Sequence, residues 1–267
     1  MDSITQAVLG AAIGQSMLGH KTQKKGVLLG AVIATIPDLD VILYLFYDSY
    51  KMLSIHRGIS HSILFSLIGA FLIAYLLSKW KWTKNISFLY LLFFSWLCLI
   101  THVLLDTFTS YGTQLFLPFS NNRVSFDSIN VVDPLYTMPL LTGLLLCIWK
   151  KKPKFNNYGL LLSSFYLIFT LINKEQVDNK FSSFFLSEKI EYHSLLTIPV
   201  GIANINWYGV AKGADSIYMR KYSILNKKDN EIISFSINDN LLLEVDEQVA
   251  EKMRWFSKGF YTVEKVN

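Results

Sequence analysis

Charge is scarce in this chain. Asp, Glu, Lys and Arg make up 17% of its 267 residues, against 52% hydrophobic and 15% aromatic. That balance is too apolar for an ordinary soluble protein, and it places the sequence in the membrane class. Cysteine is nearly absent: Cys98 and Cys147 both lie in apolar runs, so packed thiols are expected rather than a disulfide framework. No Lys or Arg precedes the first apolar stretch, which is not the pattern of a cleavable signal peptide. Internal repeats and low-complexity segments are also missing. The net charge of +5 does not imply nucleic acid, because the lysines fall between apolar runs and carry topology instead. The expected partner is a lipid bilayer.

What is present begins with those apolar runs, at about 27–46, 61–78, 86–105, 134–149 and 158–173. A span needs roughly 17–25 residues, so the last two are marginal. A shorter segment, Ile4 to Leu18, is rich in small residues and carries Gly10 and Gly14 at a spacing that permits close helix packing. Three connecting stretches hold ten lysines: Lys21, Lys24 and Lys25; Lys79, Lys81 and Lys84; Lys150, Lys151, Lys152 and Lys154. The intervening loops, 47–60 and 106–133, hold only Lys51, Arg57 and Arg123. The positive-inside rule then places the lysine loops in the cytoplasm and the other two loops on the extracytoplasmic face of the inner (plasma) membrane.

Past residue 174 Lys and Glu become frequent. Strands are expected at 217–219, 232–237 and 241–245, separated by turns at Asn226 to Asn230 and Asn238 to Asn240. A helix is expected over 246–256 and a further strand at Phe260 to Val263. The fold class is therefore mainly α: a polytopic membrane helical bundle over 1–173, followed by a small extracytoplasmic α+β domain over 174–267.

Ionisable groups in apolar surroundings are costly, and each is a functional candidate by default. His102 and Asp106 are four apart at the end of an apolar run, which puts them on one helical face a turn apart. His56 and His61 flank a turn through Gly58, with Ser60 placed to cap the following helix. Asp38 and Asp40 follow Pro37, whose ring breaks a helix, so Pro-Asp-Leu-Asp reads as a broken-helix ligand loop. These are residue types that hold borderline divalent metals. The alternative for each pair is structural: a helix-gluing polar pair, an interfacial turn, or a helix cap. The long loop 107–133 is polar and aromatic, and loops of that length are usually functional. Arg57 and Arg123 suit a phosphate or carboxylate, or else interfacial anchoring. His20, beside a lysine loop, and His193, alone in the C-terminal part, are not expected to be ligands.

In this order the motifs resemble a family. Met1-Asp2-Ser3-Ile4-Thr5-Gln6, Ala34 to Asp40, His56 to Ser62, His102 to Gly112 and Asp133-Pro134-Leu135-Tyr136 together are similar to the bacterial inner-membrane, LexA-regulated predicted metal-dependent hydrolases, over roughly residues 1–150. The resemblance implies a membrane-embedded helical hydrolase. A more distant likeness of the H-x-x-x-D element to zinc-dependent phospholipase C and P1 nuclease implies phosphoester chemistry, by analogy alone. Many members of the family carry a histidine where this chain has Gln6, and a glutamine amide is a poor transition-metal ligand.

The functional expectation is a metal-dependent hydrolase acting on a phosphoester or lipid-like ester at the membrane face. Asp38, Asp40, His56, His61, His102 and Asp106 would hold a divalent ion, zinc before others. Asp40 or Asp106 would serve as base, and Arg57 and Arg123 would bind the substrate anion. The rival is a non-enzymatic ion or metal carrier built on the same residues.

Overall fold

The computed structural model describes residues 1–22, 24–226 and 231–265. The chain forms two compact units, Met1–Thr170 and Leu171–Asn267, and the boundary falls inside one long helix.

The first unit is helical. Its first two helices, α1 (Ser3–Thr22) and α2 (Lys24–Thr35), form a hairpin. A stripe of small residues on each sets their separation. A Cβ on Gly30 would lie 2.0 Å from the Gly10 carbonyl oxygen, and one on Gly14 would lie 2.1 Å from that of Gly26. Backbone meets backbone here, which is the geometry small-xxx-small spacing allows.

The run expected at 27–46 is not one straight helix. α2 stops at Thr35, Pro37 opens a 3-10 stretch (Pro37–Leu45), and the axis bends by 53°. Proline offers no N–H to the preceding turn and forces this break. A short α3 (Ser49–Ile55), capped by Asp48, leads into a 3-10 turn at Ile59–His61 and then, across a 55° bend, into α4 (Ile63–Lys79). The cap of α4 is Ser62, which accepts from Phe65 N at 3.0 Å, rather than the expected Ser60.

α5 (Phe88–Thr107) buries Leu91, Phe94, Ser95, Cys98, Leu99, His102, Val103, Leu105 and Asp106. That stripe recurs every three to four residues, so the face that packs the core continues directly into the two ionisable residues. Ala70 and Ala74 of α4 share one core cluster with Leu91, Phe94, Cys98 and Leu99 of α5. α6 (Pro134–Lys150) begins on the Asp133 cap with Pro134 in its first turn. α7 (Lys154–Ser187) is 34 residues long, far beyond the run expected at 158–173. Among the described residues two helices, α5 and α7, are long and apolar enough to cross a membrane, or up to four segments if each bent pair is one span.

The second unit holds a four-stranded antiparallel meander: β1 (Ser194–Val200), β2 (Asn206–Lys212), β3 (Ser216–Ser223) and β4 (Ile233–Ser236), in that order. Residues of β2 alternate in burial, and Trp207 and Ala211 pack on Val177, Phe181 and Phe185, one stripe of α7. Gly209 lies between them on the same face; a Cβ there would sit 2.3 Å from the Phe181 ring. The expected helix is present as α8 (Glu247–Phe256), capped by Asp246. Two strand expectations fail. Residues 241–245 lie largely in a 3-10 turn (Asp239–Glu244) in which Leu243 is 86% exposed, and 260–263 form no strand. The turn expected at Asn226 to Asn230 lies, after Asn226, outside the described residues. Both cysteines are free and buried, as expected.

Candidate metal centre

Three separated stretches meet at one end of the first unit. The 3-10 stretch after Pro37 supplies Asp38, the turn before α4 supplies His61, and the last turns of α5 supply His102 and Asp106. One ligand atom from each of these four lies within 4.8 Å of all the others. The His61 and His102 Nε2 atoms are 3.2 Å apart. Asp38 Oδ1 is 3.5 Å from the first and 3.4 Å from the second. Asp106 Oδ2 is 3.3 Å from His61 Nε2 and 3.8 Å from His102 Nε2. His61, His102 and Asp106 are fully buried.

The surrounding hydrogen bonds assign the imidazole protons. His102 Nδ1 lies 2.5 Å from the Ala34 carbonyl, which can only accept, so Nδ1 carries the hydrogen and Nε2 a lone pair. Ser60 Oγ donates to Asp40 Oδ2 at 2.9 Å and so accepts from His61 Nδ1, also at 2.9 Å. In the neutral ring His61 Nε2 then presents a lone pair too. With both imidazoles neutral, as metal ligation requires, two Nε2 lone pairs and two carboxylates face one another. Such a set fits a divalent cation, whose charge offsets the two carboxylates, and each histidine has the back-side acceptor that metal-ligating histidines use. Asp106 Oδ2 makes no hydrogen bond of good geometry but lies 3.1 Å from Arg57 Nε and 3.3 Å from His61 Nε2, and Gln6 Oε1 is buried without a hydrogen-bond partner.

The other expected residues take different places. Asp40 is two positions from Asp38 and lies outside the four-residue group, its Oδ2 3.5 Å from the Nδ1 side of His61. It accepts from His56 Nδ1 at 2.9 Å, Arg57 N at 3.1 Å and Ser60 Oγ at 2.9 Å, so its oxygens are engaged in holding the turn. His56 pairs with Asp40 beside the centre, and its side chain is 21% exposed. The structure thus brings together Asp38, His61, His102 and Asp106, and sets His56 and Asp40 behind them. Arg57 adopts a left-handed backbone (φ 57°) and turns its buried guanidinium inward. Its Nε is 3.1 Å from Asp106 Oδ2, and Nη1 donates to Thr109 Oγ1 at 2.7 Å. Arg123 does not face the centre: it donates to the Leu53, Tyr111 and Gly112 carbonyls and so ties the loop 107–133 to α3. Both guanidiniums lie over the Tyr111 ring, at 4.9 and 4.5 Å. Burial raises the Tyr111 phenol above its ordinary pKa, with Arg123 acting against that.

Two further contacts carry no signal in the sequence. The Met1 amino group pairs with Asp106 Oδ1. Gln6 is completely buried and donates from Nε2 to Asp106 Oδ1 at 3.0 Å and to the His102 carbonyl at 3.2 Å. Gln6 is therefore a second neighbour of the centre, holding Asp106 in place. His20 and His193 lie outside the group.

The YdjM inner membrane protein family matches residues 1–177, which include every residue of this centre. The chain belongs to that family. Among curated relatives, it is 30% identical to the uncharacterized protein YfhP of Bacillus subtilis (strain 168) over 156 residues, 56% of this chain and 46% of YfhP. It is 26% identical to the inner membrane protein YbcI of Escherichia coli (strain K12) over 122 residues, 45% of this chain and 69% of YbcI. The chain thus spans less than half of YfhP and about two thirds of YbcI. No solved structure matches it. Membership in the YdjM family supports an inner-membrane location, which agrees with the apolar helices. Neither relative's name states an activity.

Proposed function

We propose that this YdjM-family protein is a membrane-bound metal-dependent hydrolase, with zinc held by Asp38, His61, His102 and Asp106. The observation that carries the reading is the convergence of four electron-pair donors, both histidine Nδ1 atoms being already bonded elsewhere. Two imidazoles and two carboxylates on a small buried centre suit zinc. A divalent ion there supplies Lewis acidity toward an ester oxygen and an activated water. Arg57, beside Asp106, offers positive charge to an anionic ester group. The His56–Asp40 pair, at the more exposed edge, can hold or pass a proton.

The surroundings support a lipid-like ester or phosphoester as substrate. Chain neighbours of the centre are apolar and exposed: Ile4 at 74%, Leu39 at 55% and Ile59 at 55%. Such residues sit naturally against acyl chains while the polar group reaches the ligands. In the proposed topology the helices of the first unit cross the bilayer as a polytopic bundle. The lysine turns are cytoplasmic, and the metal centre and the C-terminal α+β unit are extracytoplasmic.

The test is metal analysis of the detergent-purified full chain beside His102→Ala and His61→Ala. About one equivalent of zinc is expected in the parent and little in either variant. Release of phosphate or fatty acid from lipid esters by the loaded parent alone would complete the case. Absence of stoichiometric metal, or metal unchanged in both variants, would overturn it. Zinc uptake into reconstituted vesicles without hydrolysis would establish a carrier in its place.

A further inference from the structure

The end of the first unit remote from the metal centre has a chemistry of its own. Residues 16 and 17 of α1 join three turns there. Ser16 Oγ donates to Asn157 Oδ1 at 3.0 Å, and Asn156 donates to Ser16 Oγ at 2.8 Å, which brings in the α6–α7 turn. The Met17 carbonyl accepts from Tyr90 Oη at 2.7 Å, which brings in the start of α5. Lys21 Nζ lies 4.1 Å from the Tyr90 ring centre and Lys25 Nζ 4.8 Å from that of Trp82. Trp80 and Trp82 stack at 5.0 Å beside them.

These contacts gather all ten lysines of the three turns at one end, and each of the ten is exposed. Among the described residues none of the ten forms an ion pair. No Asp or Glu occurs in residues 3–37, 49–105 or 134–174, so no carboxylate lies in these turns or on the helical segments next to them. The Tyr90–His102 separation along α5 is about 18 Å at 1.5 Å per residue, so the patch is not part of the metal centre. A concentration of exposed ammonium groups with no counter-charge of its own, rimmed by Trp and Tyr at headgroup level, is complementary to lipid phosphate.

We propose that this end is a binding surface for anionic phospholipid headgroups, phosphatidylglycerol in kind. The lysines supply the charge, and the aromatic rings fix the depth at which it acts. Loss of one lysine close to an anionic surface weakens attachment about fivefold.

The test uses the detergent-purified full chain, with phosphatidylglycerol and phosphatidylcholine of equal chain length, bound lipid being counted by native mass spectrometry. Retention of phosphatidylglycerol at least tenfold over phosphatidylcholine is expected, declining with added salt. The fourfold variant Lys24→Gln, Lys81→Gln, Lys84→Gln, Lys152→Gln spares the ring-stacked lysines and should lose most of that preference. Lys51→Gln, away from these turns, should keep it. Equal retention of the two lipids by the parent would overturn the proposal without any variant, as would a preference unaffected by salt. A preference unchanged in a fourfold variant of unaltered thermal transition would also overturn it.

Discussion

Ser60 is the residue on which the orientation of His61 turns. Its hydroxyl donates to Asp40 Oδ2 and can then only accept from His61 Nδ1, which leaves Nε2 free to face the other three ligands. A partner of this kind behind a metal-bound histidine typically contributes 10–100-fold in metal affinity. Ser60→Ala should therefore weaken zinc binding by about that factor with little change in folding, and Ser60→Thr should restore it. Titration with a chelator of known affinity, alongside the visible spectrum of the cobalt-substituted protein, measures both. Unchanged affinity in the alanine variant would remove Ser60 from the site. The spacing of His56, His61, His102 and Asp106 in sequence marks these residues as candidates but does not separate ligand from support. Asp38 and Asp40 look equivalent in Pro-Asp-Leu-Asp; only the 3-10 path after Pro37 sends one to the histidines and the other to the turn behind them.

At the scale of elements, the α1–α2 hairpin places three contributions to the centre: Gln6 on α1, the Ala34 carbonyl behind His102 on α2 and, through the bend after Thr35, Asp38. Its closeness depends on glycines whose replacement leaves no room. Gly30→Leu must push the helices apart, because even the first side-chain carbon would lie 2.0 Å from the Gly10 oxygen. Overpacking of this order costs about 1–3 kcal/mol or more. The expected result is a lower unfolding midpoint in detergent and a fall in bound zinc, since Asp38 moves with α2. A variant with unaltered midpoint and zinc content would contradict this close approach. The Gly10–Gly14 spacing is legible in the sequence, but its partner is not, because Gly26 and Gly30 lie at the start of what reads as an independent long span. The second unit was less legible still. Pro199 disguises β1 as a loop although it lies on an edge strand, where proline is tolerated. Gly209 and Ala211 dilute β2, yet they are small because the Phe181 ring and its neighbours occupy that face. The run Leu241 to Val245 is apolar enough to read as a strand but is exposed and turned.

For the whole molecule, the ligands come from residues 38, 61, 102 and 106, so the centre exists only when the first unit is folded. An ion bound there ties the 3-10 stretch after Pro37 to the turn before α4 and to the end of α5. A ligand that binds the folded state alone stabilises it by RT ln(1 + [L]/Kd), about 2.7 kcal/mol at a hundredfold excess over Kd. Stripping the metal should therefore lower the thermal transition of the first unit by several degrees, and zinc should restore it in a concentration-dependent way. His102→Ala should already melt low and gain nothing from zinc. The second unit has its own core of Val177, Phe181, Phe185, Trp207 and Ala211 and contributes none of the four ligands. A tryptophan reporter kept at Trp207 should show a transition that zinc leaves in place. Scanning fluorimetry with and without chelator separates the two responses. Equal displacement of both transitions would mean that the units unfold as one, and no displacement of either would mean that the four donors hold no ion.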